Sequence, residues 1–357
     1  MSTDDVIPGK RLLLRRPVFF KGLISDVRGA RIIRYAVGIT LAVALAYTIE
    51  WPLAFLTPIL TGVILGLPLP IPPLKAGLSN MFRTLMAFMI GALFTLFLLP
   101  YPLVYIPVLG LVLFHLYYYL NRGGSFWFVL MSLLAILILP MLGNTHEGLA
   151  FGFAMGFILS GWLTVIMVWV AHTLIPDPST GQALPAPAGF RSGYSAPAAQ
   201  AALKSTIVVL PLATLFITFN LSSLLVVMVF AAIFSLTPDV AKGKQAGIDS
   251  LKSTLIGGFT AWVFYWLIVA VPELYFFLAL MFLVTLSFGG MIFSGKPAAK
   301  YYGSAFAAMF VLVNSNLEAD SDFTSAFLLR ITFILLATVY LVFALKVLHS
   351  YWPRQKG

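Results

Sequence analysis

Residues 68–86, PLPIPPLKAGLSNMFRTLM, align without a gap on residues 238–256, PDVAKGKQAGIDSLKSTLI, at an offset of 170. The register pairs Pro68 with Pro238, Ala76 with Ala246, Gly77 with Gly247, Thr84 with Thr254 and Leu85 with Leu255. The same offset sets Arg34 opposite Lys204, and after a small insertion HTLIP from His172 meets HSYWP from His349. One unit is written twice along the chain.

The unit belongs in a membrane. Of the 357 residues 61% are hydrophobic and only 10% charged, and the mean hydropathy is +0.99. Soluble domains run near 45–50% apolar and about 25% charged. A helix needs roughly 20 apolar residues to cross about 30 Å of hydrocarbon. Long apolar runs recur here, where an outer-membrane barrel would show short alternating segments. The expected fold is all-α integral membrane, with about twelve transmembrane helices arranged as two parallel six-helix repeats. The spans are read at 32–50, 53–69, 77–99, 101–120, 124–142 and 148–175, then 199–219, 221–237, 248–271, 273–293, 300–316 and 324–349. Residues 1–31 read as a basic interfacial segment, 32–175 as the first repeat, 176–198 as a cytoplasmic linker rich in Pro, Gly, Ala and Ser, 199–350 as the second repeat and 351–357 as a tail. Even repeats have the same orientation and are related by an axis along the membrane normal.

The net charge of +10 is distributed as topology, not as a nucleic-acid footprint. Nearly all Lys and Arg fall in the N-terminal arm, at Lys75, Arg122, Arg191, Lys242 with Lys244, Lys296 with Lys300, and at Lys346, Arg354 and Lys356. The alternate loops hold Glu50, Glu147, Glu273, Glu318, Asp320 and Asp322. The positive-inside rule then puts both termini in the cytoplasm. Zero cysteines exclude a disulfide framework and a thiolate metal site. Phosphate-binding glycine loops, nucleophile elbows and paired metal-ligand histidines are missing too, so the sequence reads as neither an enzyme nor a cofactor or metal protein.

The paired span openings RYAVGITLAVALAY and LKSTIVVLPLATLF, with the segments AGLSNMFRTLMAFMIGALF and AGIDSLKSTLIGG, resemble the fusaric acid resistance and aromatic acid exporter superfamily. Distant relatives of that superfamily include plant aluminium-activated malate transporters. Its third spans often carry a basic residue, Gly-Thr and then Gly. SLKSTLIGG keeps Thr254, Gly257 and Gly258 with Ser253 where Gly is usual, while MFRTLMAF keeps Thr84 without the glycines. Family exporters commonly hold a large cytoplasmic domain between the halves, where this chain has the short linker. The resemblance implies a bacterial inner-membrane exporter that works with a periplasmic adaptor.

Several polar residues are candidates for the path. Arg83 and Lys252 sit about two turns past the cytoplasmic start of corresponding spans. They read either as snorkelling anchors or as cations drawing anions to a shared mouth. Asn80 and Ser250, with Thr84 and Thr254, read as packing hydrogen-bonders or as polar lining. Pro68 and Pro238 break matching spans, a pointer to a binding site. His115, beside three tyrosines, reads as an interfacial hydrogen-bonder or a proton relay. Glu50, at the outer end of the first span, reads as an exposed acid or a coupling carboxylate.

Arg330, in FLLRITFILL (327–336), is expected about two turns below the outer surface and alone among Lys and Arg in the outer half. Positive-inside anchoring does not account for it. It reads as half of an ion pair with Asp322 or Glu50, or as a planar fork for a carboxylate. The expected function is export of small organic anions, aromatic or hydrophobic carboxylates, by alternating access between the halves. The alternatives are an organic-anion channel and a non-transporting scaffold or subunit of an efflux assembly. Lipid, an adaptor protein and self-association are the expected partners, and nucleic acid is not.

Overall fold

The computed structural model describes residues 26–176, 190, 193–221, 227–229, 231, 236, 240–318 and 323–351. Among them there are eleven helices and no strand. These are α1 (Val27–Ile49), α2 (Leu56–Leu65), α3 (Leu74–Leu98), α4 (Pro102–Asn121), α5 (Phe126–Thr145) and α6 (Glu147–Leu174), then α7 (Ala196–Thr218), α8 (Val240–Ala270), α9 (Leu274–Ile292), α10 (Ala299–Glu318) and α11 (Phe323–Tyr351). Nine helices among the described residues are long and apolar enough to cross a membrane. The chain is a multi-pass helical membrane protein.

Three of the twelve expected spans are not among the nine. The second becomes the ten-residue α2, about 15 Å long, because four of the six residues in Pro68–Pro73 are proline and the chain there is not helical. The eighth, 221–237, lies mostly outside the described residues, as do the N-terminal arm up to residue 25, most of the linker and the tail. The eleventh forms as α10 and carries Lys300, Asn314, Asn316 and Glu318 along its length. Boundaries move as well: α1 starts at Val27, inside the segment assigned to the surface, and α8 starts at Val240 where the hydropathy pattern placed 248.

Caps and chain reversals follow local chemistry. Ser125 precedes α5 and its hydroxyl accepts the Phe128 N–H at 3.3 Å, satisfying one of the orphan donors at a helix start. Pro102 opens α4, where its missing N–H costs nothing. Glu50 and Asn220, which are 170 residues apart, both turn the chain in the left-handed region, with φ of 50° and 49°. Arg34, only 2% exposed, donates to the Ile175 carbonyl oxygen at the end of α6, where the helix leaves unpaired acceptors and a negative dipole end.

Helix pairs recur at the same offset. The two most extensive intra-half pairs are α3 on α5 and α8 on α10, and the pairing of α3 on α6 recurs as α8 on α11. Across the halves, α1 packs on α9 and α7 packs on α4. The cores therefore do not divide at the linker, and two separate six-helix bundles are not what forms. One core joins Tyr105, Leu109 and Leu113 of α4 to Val208, Val209 and Phe216 of α7. Another joins Tyr35, Ile39 and Val43 of α1 to Met281 and Phe288 of α9 and Phe306 and Phe310 of α10.

Lipid tails are as apolar as leucine, so membrane helices hold together through close packing at small residues. Added carbons show how close. A Cβ on Gly91 of α3 would lie 2.6 Å from the Ala135 Cβ of α5. A Cβ on Gly257 of α8 would collide with the Ala305 carbonyl oxygen of α10 and lie 3.0 Å from the Met309 nitrogen. Because these neighbours are backbone atoms, α8 and α10 must separate to accept a side chain. Gly257→Val should lower the thermal midpoint of the purified protein, with a cost of about 1–3 kcal/mol or more typical of overpacking. Gly290→Ala, where a Cβ meets nothing within 4 Å, should leave it unchanged or slightly higher; equal midpoints for the two variants would refute the close-packing account.

Candidate functional site

Among the described residues a polar opening lies between α2 and the second half of the chain. It has a volume of about 560 Å³ and is walled by Gly62 and Gly66 of α2, Ser250, Ser253 and Thr254 of α8, Lys300, Gly303 and Ser304 of α10, and Arg330 of α11. That volume is in the range of small-molecule sites, roughly 300–1,000 Å³.

Its walls have a sequence origin. At the offset of 170, the α5 residues Leu130, Leu133, Leu134 and Leu137 correspond to Lys300, Gly303, Ser304 and Ala307 of α10. In the first half Leu130 and Leu134 pack, partly buried, against the core that holds Ala87 and Phe88 of α3, while Leu133 and Leu137 are buried in the core that joins α4 to α7. In the second half, glycine, serine and alanine leave the cavity open. Trimming three leucines to those residues removes on the order of ten side-chain carbons, enough to turn a packed face into a void. The small residues of α10 that open the cavity belong to the second half, and they share its wall with Gly62 and Gly66 of α2 from the first.

Arg330 reaches this space from α11. Phe327 packs at Gly258 and Thr338 at Gly247, so α11 runs antiparallel to α8 and Arg330 falls opposite Leu255, the midpoint of the 31-residue α8. It stands seven residues from the start of its own helix, the two turns expected from sequence, yet it serves a cavity that extends to Lys300 at the basic end of the bundle. Its Nε is shut off from the surface without a hydrogen-bond partner, and among the described residues no carboxylate pairs with it. Glu50 lines a different cavity of about 440 Å³ with Tyr47 and Asn314, and Asp322 lies outside the described residues. A guanidinium inside a membrane protein is costly unless it faces a partner or a wet cavity. Here it faces the cavity.

The other expected residues separate into two groups. Ser250 and Thr254 join Arg330 on the cavity wall. Asn80, Arg83 and Thr84 do not. Arg83 Nη1 donates to the Asn80 Oδ1 at 3.1 Å on its own helix. The Thr84 hydroxyl donates to the Asn80 carbonyl oxygen at 2.9 Å and accepts the Trp127 indole N–H at 2.9 Å. Lys252 is exposed and lies over the Tyr301 ring, 5.5 Å from its centroid. Arg83 corresponds to Ser253 and Lys252 to Phe82, so a one-residue difference turns the two cations to different faces of their helices. Neither cation lines the cavity.

His115 is on an exposed face of α4, its Nδ1 2.7 Å from the Leu111 carbonyl oxygen and its ring edge-on to Phe114. At the acidic end, Tyr47 donates to Asn314 Oδ1 at 3.1 Å beside Glu50, while Asn144, 170 residues before Asn314, donates to the Ile217 carbonyl oxygen at 3.0 Å.

Sequence reading did not single out Lys300 and Ser304 as site residues, nor the glycines at 62, 66 and 303. It also passed over Asp249, which holds Lys300 at 2.8 Å and accepts from Gln245 Nε2 at 2.6 Å. The usable signal was the replacement of leucines at 130–137 by small and polar residues at 300–307, visible once the halves are compared beyond their most similar segment.

Among known families, the model of one described as a protein of unknown function, DUF2955, matches residues 31–171. The match covers less than half of the chain and includes α2 of the cavity but none of α8, α10 or α11. No curated protein and no solved structure matches the chain.

Thr84 and Thr254 occupy corresponding positions but do different work. Thr84→Val strands the Trp127 N–H and should lower stability by about 1–3 kcal/mol, read as a lower thermal midpoint in detergent. Thr254→Val should change that midpoint little; if it proves the more damaging of the two, the assignment of Thr84 to packing and Thr254 to the cavity wall fails.

Proposed function

We propose that the chain is a transporter of small organic anions that binds its substrate at Arg330. The observation that carries this reading is a guanidinium with an unpartnered Nε, midway along the bundle, facing a cavity of about 560 Å³. Arginine offers a carboxylate two parallel hydrogen bonds, and the hydroxyls of Ser250, Ser253 and Ser304 surround the same space. An anion there would satisfy a donor that the protein leaves open.

The layout proposed is twelve spans in two parallel six-helix repeats. Support comes from the helix pairs that recur at an offset of 170 and from the matched left-handed residues Glu50 and Asn220. The mechanism proposed is alternating access. Opposite walls of the cavity come from α2 and from the group α8, α10 and α11, so the shift that opens it to either side is between these elements. The interleaved α4 and α9 would move with their partners α7 and α1. Cytoplasmic placement of both termini rests on the alternation of basic and acidic loops, and placement in a bacterial inner membrane rests on the resemblance of the paired segments. Outward direction, kinship with the fusaric acid resistance and aromatic acid exporter superfamily, a periplasmic adaptor and self-association rest on the resemblance of the paired segments. The protein is proposed as a carrier, not an enzyme.

Arg330→Gln should abolish uptake of a carboxylate such as benzoate into proteoliposomes, with rates normalised to folded protein, and Arg330→Lys should keep only part of it because the bidentate geometry is lost. Gly303→Leu restores the leucine of the first half at a position where a Cβ meets nothing within 4 Å. It should fold normally and transport poorly. Normal transport by folded Arg330→Gln protein removes Arg330 from the path. Current that rises in proportion to voltage without saturation would favour the channel.

Arg83 and Lys252 face different surroundings, so Gln substitutions at both should combine without excess coupling, within about 0.3–0.5 kcal/mol of additivity in transition-state free energy. A strongly synergistic loss of transport would restore the shared mouth.

A further inference from the structure

Lys300 and Arg330 line the cavity together, but their charges are not equally available. The Lys300 ammonium is bound to the Asp249 Oδ2 at 2.8 Å and lies 5.0 Å from the Tyr301 ring centroid. Asp249 is held in turn by Gln245, four residues earlier on α8, through its other oxygen. Among the described residues no such carboxylate reaches Arg330. The charge count of the cavity is therefore one neutralised pair and one open cation. The rest of the wall is hydroxyl, glycine, alanine and aliphatic side chain, which solvates a second negative charge poorly.

We infer that Asp249 sets the charge selectivity of this cavity, restricting it to organic anions that carry a single negative charge on an apolar body and excluding dianions. The inference rests on the anion site proposed above and adds the residue that limits it. A monoanion seats its carboxylate on Arg330 and needs nothing from Lys300. The second carboxylate of a dianion must take Lys300 from Asp249, leaving the aspartate without its partner, or stay unpaired among apolar groups. Either outcome costs free energy. The pair is half-exposed on the lysine side, 52% for Lys300 against 27% for Asp249, so its own contribution to folding is small. That makes it a suitable place to change charge without unfolding the protein.

The counterpart positions agree. Asp249 corresponds to Ser79 and Lys300 to Leu130, so the pair occurs only in the half that contains the cavity. A pair needed merely to join the third and fifth helices of a repeat would be expected in both.

The test uses the full chain purified in detergent, with benzoate and isophthalate as matched mono- and dianionic probes at a pH where both are ionised, and binding read by tryptophan fluorescence. The wild-type protein should prefer benzoate. Asp249→Asn frees Lys300 and should shift the benzoate-to-isophthalate affinity ratio toward isophthalate by at least about ten-fold, the lower end of what close charge pairs contribute. Asp249→Asn combined with Lys300→Gln should return the ratio to the wild-type side. A ratio unchanged within two-fold in Asp249→Asn, with Arg330→Gln abolishing benzoate binding, overturns the selectivity role and keeps the anion site. Benzoate binding that survives Arg330→Gln, or wild-type protein that binds neither probe, removes the anion site and this inference with it.

Discussion

Helices in hydrocarbon gain nothing by burying one leucine against another, so their arrangement is governed by where two backbones can come together. In this protein that constraint is met at Gly257, where α8 rests on the main chain of α10, and at Gly91, where α3 rests on Ala135 of α5. Each contact fixes the third helix of a repeat against the fifth. Everything on the facing surfaces follows from that fixed separation. With leucine at 130, 133, 134 and 137 the α5 surface packs into the two neighbouring cores. With Lys300, Gly303, Ser304 and Ala307 at the equivalent places, the same separation leaves a cavity.

Corresponding positions of the two copies thus have different surroundings. Asn80, Arg83 and Thr84 hydrogen-bond on α3 or to Trp127. Their counterparts Ser250, Ser253 and Thr254 are turned to the open space. A similar division holds for α6 and α11. At position 160 a buried serine accepts the Trp51 indole N–H at 2.9 Å and donates to the Leu53 carbonyl oxygen at 2.9 Å, pinning the chain between α1 and α2. At position 330, 170 residues on, an arginine takes its place and projects into the cavity. A structural serine in one copy and a free guanidinium in the other occupy one framework position.

Charge is sorted by depth. At the basic end Lys300 is matched by Asp249 and Lys252 rests on an aromatic face, arrangements that cost little where water is near. Deeper in the bundle such compensation is scarce, and Arg330 is left with an open donor. A membrane protein retains an arginine at that depth at considerable cost. Arg330 faces the cavity of about 560 Å³.

The sequence by itself determined the membrane class, the helical content, the repeat at an offset of 170 and the singularity of Arg330, because hydropathy, loop charge and self-alignment are properties of residues in order. It also marked Ser250 and Thr254, which reach the cavity. It did not determine that α2 is only ten residues long or that α8 starts at Val240, since proline runs and mixed-polarity helix ends blur hydropathy boundaries. Nor did it separate Arg83 from Lys252: one residue of displacement rotates a helical side chain by about 100°, and only neighbouring helices say what lies in that direction. The exchange of α4 and α9 between the two cores, the void at Gly303 and Ser304, and the pairing of Asp249 with Lys300 were decided by tertiary structure alone. Each depends on the distance between helices far apart in sequence, which small residues set by how closely they let two backbones approach.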